Sequence, residues 1–236
     1  KSVGATEQGI LSAVTARGRT IMKNCAEEPE IRWLCHYLRK MGARISGEEK
    51  GVIIIDGVSC LKGGDMQVPP DRIVAGTYIC AAAATRGKIE ILNPPEGELD
   101  AFLAVYRKIG GQYKVNSGKL VVDAGGIHAP ADYVETGVYP GFPTDLQSPL
   151  MAVLLTVSGK SHIRETIFEA RYKAAEEMRH MGAHIQIRER DAFIDGGFPL
   201  TGCTVKAEEL RGGAALILAA LACKGTSCIE GCSFIE

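Results

Sequence analysis

The sequence predicts an α/β (α+β) chain made from one small module used several times, with helices buried inside and sheets facing out. Three observations carry this. First, four glycines each follow an apolar run: Gly18 after AVTAR, Gly87 after AAAATR, Gly159 after VLLTVS and Gly225 after AALACK, at gaps of 69, 72 and 66 residues. Second, Met41-Gly42-Ala43, Ile109-Gly110-Gly111 and Met181-Gly182-Ala183 keep the same beat, with gaps of 68 and 72. A period of about seventy residues is too long for a helical solenoid unit and suits a small α/β module. Third, the segment that opens each copy is apolar nearly all round, and such a helix has to be buried.

The elements follow in the same order in each copy. The opening helix, rich in Ala, Leu and Ile, is expected at 9–16, 73–85, 146–157 and 210–223. The glycine after it reads as a left-handed C-cap. Short β-branched strands are expected at 20–22, 88–92, 161–163 and 226–229. An amphipathic helix comes next, marked by Ile31, Leu34, Leu38 and Met41, or by Phe102, Val105 and Ile109, at the spacing of one helical face. The Met-Gly-Ala marker closes that helix. A hairpin then pairs 44–46 with 52–55, 113–115 with 120–122, and 184–187 with 192–194. The full unit reads β-α-β-α-β-β, with helices on one side of a sheet. The first copy begins at Lys1 in mid-motif and the fourth stops at Glu236 before its second marker. The chain therefore reads as an internal piece of a longer protein, with self-association favoured wherever the broken repeats leave apolar surface uncovered.

Bulk properties exclude several classes. At 46% apolar and 23% charged residues the chain can bury a core. A net charge of −1 gives no footprint for nucleic acid or an anionic membrane. No apolar run reaches the ~18 residues that span a bilayer. The eight cysteines form no CxxC pair, and most sit in apolar contexts. They read as small buried hydrophobes in a reducing cytoplasm. No cluster has metal-ligand spacing, so no metal is expected.

Six segments carry a family resemblance: KSVGATE (1–7), AEEPEI (26–31), PPDRIVAGTY (69–78), YPGFPTDLQ (139–147), ETIFEARY (165–172) and ELRGGAALILAALA (209–222). Together and in order, they resemble the UDP-N-acetylglucosamine 1-carboxyvinyltransferases, bacterial cytoplasmic enolpyruvyl transferases of peptidoglycan precursor synthesis. The resemblance implies two domains of three units each, every domain an inside-out α/β barrel, with a cleft between them. It implies that residues 1–69 are the last unit of the first domain and 70–236 most of the second. The substrates implied are phosphoenolpyruvate and UDP-N-acetylglucosamine, with no metal or organic cofactor. By the same resemblance the chain lacks the Lys-Asn pair and the reactive-Cys loop of the first domain, as well as the C-terminal Arg-Gly-Tyr-Glu motif. It is therefore expected to be inactive alone. The alternatives are a structural or nucleotide-sugar-binding fragment, or a paralogue with another acceptor.

The candidate residues each have a plain reading as well. Thr144 or Asp145 reads from position as a helix N-cap; the resemblance makes Asp145 the contact to the sugar 3-hydroxyl and the general base. Glu169 with Arg171, and Glu209 with Arg211, read as exposed helix-end ion pairs. The resemblance instead makes Arg171 and Arg211 forks for the phosphate and carboxylate of phosphoenolpyruvate. It also places Glu169 among the substrate-binding residues. Ser2, Val3 and Gly4 match the uridine-diphosphate segment, where backbone N–H groups before a helix can meet a pyrophosphate. Ile167 matches a backbone contact to the nucleotide sugar, or else is a buried strand residue. Glu28 matches an acid beside the cleft. Asp71 occupies the same phase as Asp145 and Arg211, so the helix starts are expected to converge; capping is its alternative. Three positions depart from the family pattern: Glu209 for Asp, Ala170 for Asn and Glu27 for Arg.

Overall fold

The computed structural model describes residues 1–234. The chain divides into two compact units, Lys1–Pro69 with Val138–Pro140, and Pro70–Gly137 with Gly141–Glu236. In the first unit, α1 (Val3–Ala13), β1 (Arg19–Lys23), α2 (Pro29–Lys40), β2 (Arg44–Ser46) and β3 (Val52–Asp56) follow in chain order. The strands form an antiparallel sheet of order β1-β3-β2. Ile53 and Ile55 of the central strand are fully buried, in one core with Ile10, Ile31 and Cys35.

The second unit repeats the pattern. Its first copy holds α3 (Arg72–Thr85), β4 (Lys88–Leu92), α4 (Asp100–Lys108), β5 (Gln112–Asn116) and β6 (Lys119–Asp123). Its next holds β7 (Val134–Glu135), α5 (Gln147–Leu155), β8 (Gly159–Arg164), α6 (Lys173–His180), β9 (His184–Arg188) and β10 (Asp191–Gly196). The last contains β11 (Thr204–Lys206), α7 (Leu210–Ala222) and β12 (Cys228–Glu230). The sheets run β4-β6-β5, β7-β8-β10-β9 and β11-β12. In the first two, the strand after the opening helix pairs antiparallel with the far strand of the hairpin, Ile89 opposite Val122 and Ser161 opposite Ile194.

Among the described residues the expected six-element unit is complete in one copy, β7 to β10. The strand ahead of the opening helix exists as β7 and β11, each pairing parallel with the strand that follows the helix. Residues 57–71 contain no such strand. Pro69 and Pro70 lie there, and proline cannot donate to a ladder. The strand expected at 226–229 forms instead at Cys228–Glu230, because its register is set by β11, with Thr204 opposite Cys228.

The buried-helix expectation holds best for α5, all nine of whose residues are buried. α5 packs between α3 and α7, which also touch each other. The sheets lie outside this helical layer. Leu120 and Val122 of β6 face in while Val121 faces out, and Ala192 and Ile194 of β10 face in while Phe193 faces out. On α3, Val74 and Tyr78 stay exposed, as do Ile217 and Leu221 on α7.

The two glycine series behave differently. Gly42, Gly110 and Gly182 have φ of 100°, 104° and 94°. Behind each, the next N–H reaches back to a carbonyl five residues earlier: Ala43 to Leu38, Gly111 to Tyr106 and Ala183 to Met178, at 2.9–3.0 Å. These are Schellman caps, so this marker does close the helix. The other series does not cap. The opening helices end at Ala13, Leu155 and Ala222, and the positive φ comes later, at Gly18 and Gly225 beyond the helix and at Gly159 as the first residue of β8. At the remaining copy Arg86 adopts the left-handed conformation in place of Gly87, with φ 56°. Its guanidinium donates to Ala83 O, Thr156 Oγ1 and Thr156 O, tying the end of α3 to the end of α5.

The cysteine expectation is corrected in part. Cys25, Cys35 and Cys80 are buried, Cys203 and Cys223 are half-buried, and Cys60, Cys228 and Cys232 are exposed. The exposed three lie on coil, on an outward strand position and on a short 3-10 turn, where no second layer covers them. Burial pushes the Cys35 thiol up to about 11 and raises that of Cys80 further.

Two predictions follow from these features. Gly110→Ala should cost more than about 1 kcal/mol in a denaturant melt, because a Cβ there would stand 2.3 Å from the Gly126 carbonyl oxygen. Gly182→Ala, whose Cβ meets nothing closer than 3.5 Å, should cost less. In thiol labelling, Cys60, Cys228 and Cys232 should react within minutes, whereas Cys25, Cys35 and Cys80 should wait for unfolding.

Candidate active site

The site is built from two turns and one helix start. The chain leaves β7, passes Pro143 and forms a 3-10 turn over Thr144–Leu146 before α5 begins. Leu146 is fully buried and seats against α3 at Gly76, where a Cβ would meet its Cδ1 at 2.4 Å. That close approach requires glycine and anchors the turn. Neither Thr144 nor Asp145 caps the helix: the position before α5 is Leu146, which offers no side-chain acceptor. The plain capping reading is thus corrected, because the extra 3-10 turn moves Asp145 off the cap.

Asp145 meets two arginines instead. Arg171 Nη2 donates to Asp145 Oδ1 at 2.5 Å, and Arg211 Nε lies 3.2 Å from the same oxygen. Arg171 is mostly buried, its guanidinium over the Phe168 ring at 4.6 Å. Its Nε is buried with no hydrogen-bond partner among the described residues. One carboxylate facing two guanidiniums leaves excess positive charge, and an unmatched buried donor calls for an acceptor. The arrangement is suited to an anion with several oxygens.

The expected Glu–Arg pairs do not form. Glu169 is almost fully exposed, and its ion pair is with Arg190, at 3.7 Å. Glu209 caps α7 by accepting from Arg211 N at 2.8 Å and Gly212 N at 2.5 Å. Glu209 is held by the first N–H groups of α7 and so faces away from the Arg211 guanidinium, while Glu169 points into solvent. Asp71 caps α3 in the same way, accepting from Ile73 N at 2.7 Å and Val74 N at 3.0 Å.

Ile167 is neither buried nor in a strand. It is 38% exposed, on a turn just beyond β8. The turn is made by Glu165, which captures the N–H groups of Ile167 and Phe168. What Ile167 can offer a ligand is therefore its carbonyl oxygen.

The remaining candidates lie in the first unit. Ser2 caps α1, its Oγ accepting from Ala5 N at 3.3 Å, and Val3 and Gly4 form the first turn. Nothing lies within 4 Å of a Cβ built at Gly4, so that helix start is open. Glu28 Oε1 accepts from Tyr139 N at 3.3 Å, and its Oε2 is buried without a hydrogen-bond partner among the described residues. Glu27, at the position where the family pattern has Arg, pairs with Lys1.

Grooves also lie elsewhere. One of about 570 Å³ on the outer face of β8, β10 and β9 is lined by His162, His184, Arg188 and Phe193. Its rings contact each other, His162 with Phe193 at 4.5 Å, and His162 bonds Asp191 at 2.7 Å. Those groups satisfy one another, whereas the Asp145 cluster does not. Among the described residues no group of three His, Cys, Asp or Glu could hold a metal, and no helix is long and apolar enough to cross a membrane.

Repeated units with helices inside and sheets outside make this an α/β protein built from one module used several times, and the comparisons supply its family. Residues 1–236 match the family described as EPSP synthase (3-phosphoshikimate 1-carboxyvinyltransferase), and the chain belongs to that family. It is 47% identical over 226 residues to UDP-N-acetylglucosamine 1-carboxyvinyltransferase 2 of Clostridium tetani, covering 96% of this chain and 54% of that protein. It is 41% identical over 235 residues to the protein of the same name from Caldanaerobacter subterraneus subsp. tengcongensis, covering 100% and 56%. The chain thus spans about half the length of the curated relatives it matches. In fold it is similar to the enolpyruvyl transferase NikO from Streptomyces tendae, with TM-score 0.88 at 24% identity, covering 98% of this chain and 55% of that one. EPSP synthase from Acinetobacter baumannii follows with TM-score 0.72 at 17% identity, covering 99% and 57%.

If Asp145 competes with outside anions for the two arginines, Asp145→Asn should raise the chain's affinity for inorganic phosphate about fivefold or more. Arg211→Ala should lower it. An NMR titration reads both, and equal affinities in all three proteins would refute the cluster as an anion seat.

Proposed function

We propose that the protein carrying this chain transfers the enolpyruvyl group of phosphoenolpyruvate to the 3-hydroxyl of UDP-N-acetylglucosamine, an early step of peptidoglycan precursor synthesis. The observation that carries the reading is Asp145 held between Arg171 and Arg211. Arg171 and Arg211 bind the phosphate and carboxylate of phosphoenolpyruvate. Asp145 receives the proton of the sugar 3-hydroxyl as the hydroxyl oxygen bonds to the central carbon of phosphoenolpyruvate, while the methylene carbon takes up a proton from solvent and becomes a methyl group. Loss of a methyl proton and of phosphate from that adduct then gives the enolpyruvyl sugar. Preorganised charge at the reacting oxygens carries most of such a rate enhancement.

In this reading residues 1–69 are the last unit of one domain and 70–236 most of another. Ser2, Val3 and Gly4 serve the uridine diphosphate, the Ile167 carbonyl meets the sugar, and Glu28, Asp71 and Glu169 border the substrates. The half-length match supports a second statement: this polypeptide alone is inactive. Its exposed Val74, Tyr78, Ile217 and Leu221 favour self-association.

The full reading frame that encodes this chain should release phosphate from phosphoenolpyruvate plus UDP-N-acetylglucosamine. Asp145→Ala, Arg171→Ala and Arg211→Ala should each lower kcat/KM by at least about a hundredfold. The 236-residue chain should show none. A full-length protein without turnover would overturn the activity, and turnover by the chain alone would overturn its inactivity.

A further inference from the structure

We infer that Glu165 is a positioning residue that sets the geometry of the Asp145–Arg171 pair. The inference rests on the functional reading above for its kinetic consequences, and on geometry for the rest. Glu165 is fully buried, and both of its oxygens are used. Oε1 accepts from Ile167 N at 2.7 Å and Phe168 N at 3.0 Å, and Oε2 accepts from Thr144 Oγ1 at 2.8 Å. Burying a carboxylate is costly unless donors compensate it, so this one is a committed structural element.

Its two ends reach the two halves of the site. Thr144 immediately precedes Asp145. Phe168 supports the Arg171 guanidinium from below. One carboxylate therefore bridges the turn that carries the acid and the turn that carries the base of the arginine stack. Arg190 closes the back of the same turn, donating from Nη1 to Thr166 O at 2.9 Å. Tyr172 packs beside it, its single hydroxyl hydrogen shared between Ile163 O and Arg190 O. Neither Arg190 nor Tyr172 spans the gap that Glu165 spans.

The geometry makes length the critical property, and charge secondary. A glutamine can accept both N–H groups with its amide oxygen and donate to Thr144 Oγ1 with its nitrogen. An aspartate is one methylene too short to reach both turns.

In the full reading frame, Glu165→Gln should keep kcat within about threefold of wild type. Glu165→Asp should lower kcat about a hundredfold while KM for the nucleotide sugar changes much less. Thr144→Val, which removes only the Oε2 tie, should lower kcat about tenfold. Thermal melts confirm that each variant is folded. Glu165→Asp at wild-type kcat, Glu165→Gln as damaged as Glu165→Asp, or equal losses in kcat and stability across the series would overturn the inference. Absence of turnover in wild type would sink the functional reading alone. Phosphate titration of the 236-residue chain then decides the positioning role. Affinity should move about fivefold or more away from wild type in Glu165→Asp and hold in Glu165→Gln; an unchanged Glu165→Asp or a shifted Glu165→Gln contradicts it.

Discussion

The structure depends on α5, a helix with no face to show to water. All nine of its residues are buried, so it must be covered on every side. Burial of this kind is the dominant favourable term in folding. α3 and α7 cover two sides, and the sheet that holds β8 and β10 covers another. Because the three helices are the same element of successive copies, packing them together also brings equivalent helix starts near one another. Asp145 ahead of α5 and Arg211 in the first turn of α7 meet for that reason.

The repeat places an acidic residue at each of these helix starts in the second unit, and the copies use it differently. Asp71 and Glu209 satisfy the orphan N–H groups of α3 and α7. Such caps stabilise a helix by about 1 kcal/mol. Asp145 is relieved of that work by the 3-10 turn and by Leu146, whose anchoring at Gly76 holds the turn against α3. An acid near each helix start is thus a structural cap twice and the partner of two arginines once. A cluster of one acid and two arginines then has charge to spare for an anion, where a single surface ion pair would have none.

Much of this was legible in the sequence. The hairpins fell where β-branched runs and turn residues placed them, and the Met-Gly-Ala marker closed its helices because glycine takes the left-handed C′ position without a Cβ penalty. The other glycine series misled, because a positive φ is needed as much in the turn into a strand as at a helix end. Arg86 shows the same point from the other side: a non-glycine residue accepts the left-handed conformation when its guanidinium is repaid with three acceptors. Asp145, Arg171 and Arg211 were each readable as candidates, but their mutual contact was not, since it crosses between copies. Neighbouring acids in the sequence, Glu169 and Glu209, were the natural partners on paper and are not the partners in space. Glu165 carried a weak signal, an acid at the end of a strand two residues before an apolar pair. Its role depends on Thr144, and that contact is invisible along the chain.

The central claim is that Asp145 lies between Arg171 and Arg211 in the folded chain. The arginine Nε–H resonances of this chain test it most directly. Both should shift when Asp145 is replaced by Asn, and neither should move when Asp71, a cap at the same phase, is replaced by Asn. Unmoved arginine resonances in the Asp145 variant would contradict the account.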